Sequence, residues 1–135
     1  MHIVNVQADE LFQALADPYR IRMVRLMLSV KSEICLCELS DCLLEPEYKL
    51  SRHLKILKQA GLINSVRDGK WIYHSLVQDQ KYLTAILQTV ALLPDNGEFK
   101  IDLDRFKKRL KLREKGRCTM GTRFKPQRQS EVRHQ

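Results

Sequence analysis

Four cysteines are the residues of this chain best suited to chemistry: a Cys35-x-Cys37 pair, Cys42, and Cys118 far downstream. Thiolates are soft ligands that select soft ions, and a metal-bound thiol is deprotonated. Two sulfurs on one ion lie within about 4 Å of each other, judging from Zn–S bonds of ~2.3 Å. In a regular helix, residues i and i+2 point to nearly opposite sides. A shared ion at Cys35 and Cys37 therefore predicts a distorted first turn in a helix read over EICLCELSDCLL. Cys42 would sit about 20° from Cys35 but ~10 Å along the helix, and ~140° from Cys37, which makes it a packing residue. Cys118 follows every periodic segment and can fold back onto the pair of its own or another copy. Its basic neighbours are expected to lower its thiol pKa. The plain alternatives are a pair of small apolar residues at a helix start and an incidental or resolving thiol in the tail. The histidines at 2, 53, 74 and 134 do not cluster in sequence.

A second set of residues faces a different partner. Over 47–60, Leu50, Leu54 and Leu57 recur at helical spacing and leave Lys49, Ser51, Arg52, His53 and Lys55 outward. Two strand-like runs, 62–67 and 71–76, flank Asp68-Gly69, a strong hairpin signal. Residues 47–70 hold six basic side chains, Arg67 and Lys70 among them, against Glu47 and Asp68, for a local charge of +4. A helix fits the DNA major groove, and a thin hairpin can lie beside it on groove or backbone. Arg52 is the expected base contact, with Lys49, Lys55 and Lys70 on phosphates.

The elements that must position these groups read as mainly α with a small β-hairpin. Helices are expected at 9–16, 18–30, 33–44, 47–60 and about 79–92, with a two-stranded wing after the fourth. That order is a winged helix-turn-helix. A further C-terminal helix starts near Asp102. The expected organisation is a DNA-binding and dimerisation domain over 1–97, a helix with its cysteine-bearing extension over 98–117, and a basic, disordered tail over 118–135.

The 135-residue chain carries a net charge of +8, but the excess belongs to one end. Residues 105–135 hold twelve basic and two acidic residues, whereas 1–104 hold twelve and fourteen. Global charge is thus weak evidence of DNA binding; the local cluster is better. No apolar run approaches the ~20 residues of a membrane span, and the start has no signal-peptide layout, so the expected address is the cytoplasm with no membrane partner. Only five glycines and no anion cradle argue against a thiol-based enzyme.

ALADPYRIRMVRLM, CELSDCL, KLSRHLKILKQAGLI and VRDGKWIYHSL together resemble the arsenic-repressor (ArsR/SmtB) family of winged-helix metalloregulators over residues 9–92. The resemblance implies a homodimeric repressor that releases operator DNA when an inducer binds. Dimers of the family pair through the first and fifth helices, which suits the apolar 79–93 stretch. Cys35 and Cys37 match the family's third-helix Cys-x-Cys sensor, which takes As(III) or Sb(III) in some members and Cd(II) or Pb(II) in others. The absence of an amino-terminal cysteine leans the reading to arsenite. Cys118 is the candidate third ligand. A repressor of the same fold that responds to thiol oxidation is the nearest rival. The fifth helix carries Asp79 but no histidine, which argues against the family's other metal site.

Overall fold

The computed structural model describes residues 7–30 and 32–125. Helix α1, Ala8–Leu15, ends where Asp17-Pro18 opens α2, Pro18–Val30. Asp17 accepts the Tyr19 and Arg20 backbone N–H groups at 2.8 and 3.2 Å, capping a helix whose first residue, proline, has no N–H to satisfy. The Arg20 guanidinium turns back to donate to the Ala14 and Gln13 carbonyls, so one residue secures both sides of the break.

A short strand β1, Ile34–Cys35, precedes α3, Leu36–Leu43, and α4 follows over Glu47–Gln59. The α4 helix stops in a Schellman motif: Leu62 N–H donates to Leu57 and Gly61 N–H to Lys58, both at 3.0 Å. The wing is β2, Ile63–Asp68, and β3, Trp71–Leu76, paired antiparallel from Ile63↔Leu76 to Asp68↔Trp71. The hairpin loop is therefore Gly69-Lys70 rather than Asp-Gly. Gly69 alone has positive φ, +66°, which suits glycine at the first loop position.

Three features differ from expectation. The sheet has three strands in the order β1-β3-β2, because Ile34 and Cys35 pair with His74 and Tyr73 instead of opening α3. Helix α5 spans Lys81–Leu92, and α6 runs from Glu98 to Leu110, a turn earlier than Asp102. The Asp95 carboxylate accepts the Gly97 N–H at 2.6 Å and sets up that earlier start. Residues 118–125 do not behave as a tail: they lie against α3, with Cys118 only 4% exposed. Residues 126–135 fall outside the described ones.

The core joins Leu11, Met23, Leu26, Leu39, Leu50, Leu57, Leu83 and Leu87 with Phe106 of α6. Phe106 is 0% exposed, so α6 shares this core rather than forming a separate unit. Asp102, 1% exposed, is held by both nitrogens of an Arg22 fork at 2.9 Å, tying α6 to α2.

Candidate metal centre and nucleic-acid interface

Cys35 sits at the end of β1 in extended conformation (φ −90°, ψ 153°) and is the N-cap of α3, while Cys37 lies in the first turn. The pair straddles a strand–helix junction, so the opposed directions expected of i and i+2 in a regular helix do not arise. Glu38 strengthens the junction by accepting the Cys35 N–H at 2.9 Å, as the third residue of a helix does in a capping box.

Cys118 reaches this pair through a chain reversal after α6. Glu114 and Arg117 exchange both backbone hydrogen bonds, at 2.9 and 3.0 Å, around Lys115 (φ 54°) and Gly116 (φ 75°). Two consecutive positive φ values define a type I′ turn, and glycine takes the second without strain. The sulfurs of Cys35, Cys37 and Cys118 lie within 4.8 Å of one another, and those of Cys37 and Cys118 are 4.0 Å apart. All three residues are buried, at 2%, 4% and 4% exposure, with Tyr73 and Trp71 packed beside them. The Cys118 N–H donates to Tyr73 Oη at 2.9 Å.

Sequence reasoning missed the ion pairs that hold the site. Arg113 forks onto Glu38 at 2.6 and 2.7 Å and also donates to the Glu33 carbonyl. Arg109 binds Asp41 at 2.6 Å and the Met120 carbonyl at 2.9 Å. Asp41 in turn accepts the Arg123 and Phe124 N–H groups at 2.8 and 2.6 Å. Glu38 three residues after Cys35 was a local signal; its distant arginine was not.

Hydrogen bonding from the Cys35 thiol, opposed by burial and aided by the Arg109 charge, holds Cys37 down at about 7. That same hydrogen bond and burial push Cys35 up. Burial pushes Cys118 up to about 12, the opposite of the direction expected from its basic neighbours. Arg113 is committed to Glu38, and Arg117 pairs outward with Glu33 and Asp68. Cys42 stands apart, fully buried, donating to the Asp102 carbonyl at 3.1 Å.

On α4, Leu50, Leu54 and Leu57 are buried, and Ser51, Arg52 and Lys55 are exposed, as are Arg67 and Lys70 on the wing. Two of the expected outward residues also make contacts within the chain. Lys49 pairs with Glu45 at 3.2 Å and lies 4.4 Å from the Tyr19 ring centroid. The His53 side chain, 15% exposed, stacks on Tyr19 and meets Arg20 at 3.0 Å through Nδ1. The thiol site touches both α4 and the wing. Cys35 pairs with Tyr73 in the wing, Arg117 reaches Asp68 at the hairpin end at 3.4 Å, and Thr122 donates to Glu47 at the start of α4.

A helix-turn-helix followed by a hairpin wing, with a basic face across both, defines a winged-helix DNA-binding regulator. The family described as "Bacterial regulatory protein, arsR family" matches residues 17–65. An uncharacterised HTH-type transcriptional regulator of Methanocaldococcus jannaschii is 35% identical over 74 residues, covering 55% of this chain and 82% of that one. The arsenical resistance operon repressor of Escherichia coli is 40% identical over 67 residues, covering 50% of this chain and 56% of the repressor. Among solved structures, HlyU from Vibrio cholerae superposes with a TM-score of 0.53 at 25% identity, covering 62% of this chain and 86% of HlyU. The chain belongs to the arsR family of bacterial regulatory proteins.

Proposed function

We propose that this protein is a homodimeric transcriptional repressor that leaves its operator when As(III) or Sb(III) binds Cys35, Cys37 and Cys118. The observation that carries the reading is the convergence of three buried thiols, two from the α3 junction and one from beyond α6, within 4.8 Å. Arsenite condenses with three thiols to a neutral tris-thiolate and three waters. A divalent cation held by three thiolates carries a net negative charge, and burying an unbalanced charge is costly. The nearby cations offer little compensation: Arg113 is paired with Glu38 and Arg109 with Asp41. This favours As(III) or Sb(III) over the alternative inducers Cd(II) and Pb(II).

The contacts of the site supply a route to DNA. Drawing three sulfurs onto one atom pulls on Tyr73 in the wing and, through the 118–125 arm, on Glu47 of α4. A coupling of about 1–3 kcal/mol would weaken operator binding 5- to 150-fold. Exposed Phe12 of α1 and Tyr82 and Leu92 of α5 offer the dimer face. Among the described residues no helix is long and apolar enough to cross a membrane, and the proposed setting is the cytoplasm.

The test is operator release, on a duplex selected from random sequence, with arsenite, antimonite, cadmium, lead and zinc side by side. Arsenite and antimonite are expected to act at the lowest concentrations; release by cadmium or lead at lower concentration overturns the assignment. A thiol-redox reading has its own support in the depressed Cys37 thiol 4.0 Å from Cys118. A peroxide arm with thiol counting separates it: release with loss of two thiols and no added metal favours oxidation.

A further inference from the structure

Beyond Cys118 the chain crosses the fold as an arm, residues 119–125, fastened mainly by its backbone. Asp41 of α3 accepts the Arg123 and Phe124 N–H groups at 2.8 and 2.6 Å. Thr122 Oγ1 donates to Glu47, the first residue of α4. Gly121 lines the groove between α4 and the wing together with Ser51, Lys55 and Lys70. The arm therefore runs beside the first turn of α4, and its long side chains are not needed to hold it there.

Those side chains are cationic. Residues 119–125 carry Arg123 and Lys125 and no carboxylate, and both cations are exposed. Arg123 also borders an open depression with Arg105 and Lys108 of α6. Among the described residues none of these three has an ion-pair partner, and the carboxylate of the depression, Asp41, is already paired with Arg109. A strip of unpaired positive charge on a fixed backbone suits a partner with closely spaced negative charges, and duplex DNA offers one per ~1.7 Å of its axis. Position selects this partner: the strip begins where α4 begins, and the first turn of a recognition helix is the part that enters the major groove. Glu47 by itself would repel phosphates there; the arm ties it to Thr122 and places Arg123 one residue further on. Resting on the reading of α4 and the wing as DNA-binding elements, we infer that the 119–125 arm is a third one. Its Arg123 and Lys125 bind backbone phosphates flanking the bases that α4 meets. Phosphate contacts fix register and carry no sequence information, so the arm adds affinity for any duplex. Asp41 and Glu47 order the arm beforehand, so little conformational freedom is lost when DNA arrives.

The test is fluorescence anisotropy of the full chain across a salt series, on a duplex selected from random sequence and on a scrambled one. Arg123→Ala combined with Lys125→Ala should lower the salt slope by about 2 and weaken binding to both duplexes by the same factor. Arg123→Lys should keep the wild-type slope, because a phosphate contact needs the charge. The Arg123 side chain meets Met120 Sδ at 3.2 Å, and the Asp41 clamp uses backbone N–H groups, so the melting temperature should not move. Lys100→Ala removes an exposed charge from the first turn of α6 and should leave the slope unchanged. A double-variant slope equal to that of Lys100→Ala overturns the inference, as does a loss confined to the selected duplex. If Lys55→Ala and Lys70→Ala leave the slope unchanged while the arm variant lowers it, the reading of α4 and the wing falls and the arm contact stands.

Discussion

The sulfurs of Cys37 and Cys118 stand 4.0 Å apart although 81 positions separate them in the chain. The Lys115-Gly116 reversal aims Cys118 at the pair, and Arg113 fastens the segment before that turn to Glu38. The third thiol is thus positioned by an ion pair that contains no sulfur.

Arg113→Ala should be among the most damaging single changes, because it strands a carboxylate that is 0% exposed. Removing one partner of a buried pair costs about 3–5 kcal/mol. Urea unfolding is expected to show that loss, with arsenite affinity falling in parallel. Glu38→Gln combined with Arg113→Met should recover much of the stability, since neither polar group is then left as an unpaired charge.

Cys42→Ala separates a packing thiol from the clustered ones. Cys42 is fully buried and donates to the Asp102 carbonyl. Its removal should cost about 1 kcal/mol in a thermal melt and leave arsenite affinity unchanged.

Lys55 and Lys70 are exposed on α4 and the wing, whereas His53 is occupied by Arg20 and Tyr19. Lys55→Ala and Lys70→Ala should each lower the salt slope of DNA binding by about 1. His53→Ala should lower stability without changing that slope. Fluorescence anisotropy across a salt series, beside melting curves, distinguishes the two behaviours.

Phe12 and Leu92 are 62% and 84% exposed on α1 and α5. Phe12→Asp with Leu92→Asp should shift sedimentation from dimer to monomer and sharply weaken operator binding, because two half-sites are no longer held together.

Burial pushes His74 down to about 4 from an ordinary 6.5, and its Nδ1 lies 2.8 Å from Ser65 Oγ. The imidazole is neutral in the fold, whereas the unfolded chain takes up a proton near 6.5. The unfolded state therefore binds more protons between those values, and stability should fall as pH drops from about 6.5 towards about 4. His74→Gln should flatten that part of the curve, measured by denaturation at successive pH values.

Much of α4 and the wing was readable in the chain because their signals are local. Leu50, Leu54 and Leu57 define one face of α4 by spacing, and the paired runs around Gly69 define the wing. Local signals failed where a partner came from elsewhere. Ile34 and Cys35 form a strand only because β3 presents an edge to them, and this takes Cys35 out of the helix that its neighbours suggested. His53 looked outward by periodicity, but α2 brings Tyr19 and Arg20 across it. The beginning of the 118–135 segment looked like solvated tail because its own composition buries little. Its order comes from Asp41 and Tyr73, both distant in sequence, and from Arg109 of the preceding helix.

Periodicity, turn residues and side-chain chemistry act over a few positions, so the α4 helix, the hairpin and the presence of soft thiol ligands were legible in the chain alone. Which thiols meet was settled only when the chain folded. That outcome depends on burial and on ion pairs between distant segments, such as Arg113 and Glu38, 75 positions apart, whose energies exist only once the chain has closed on itself.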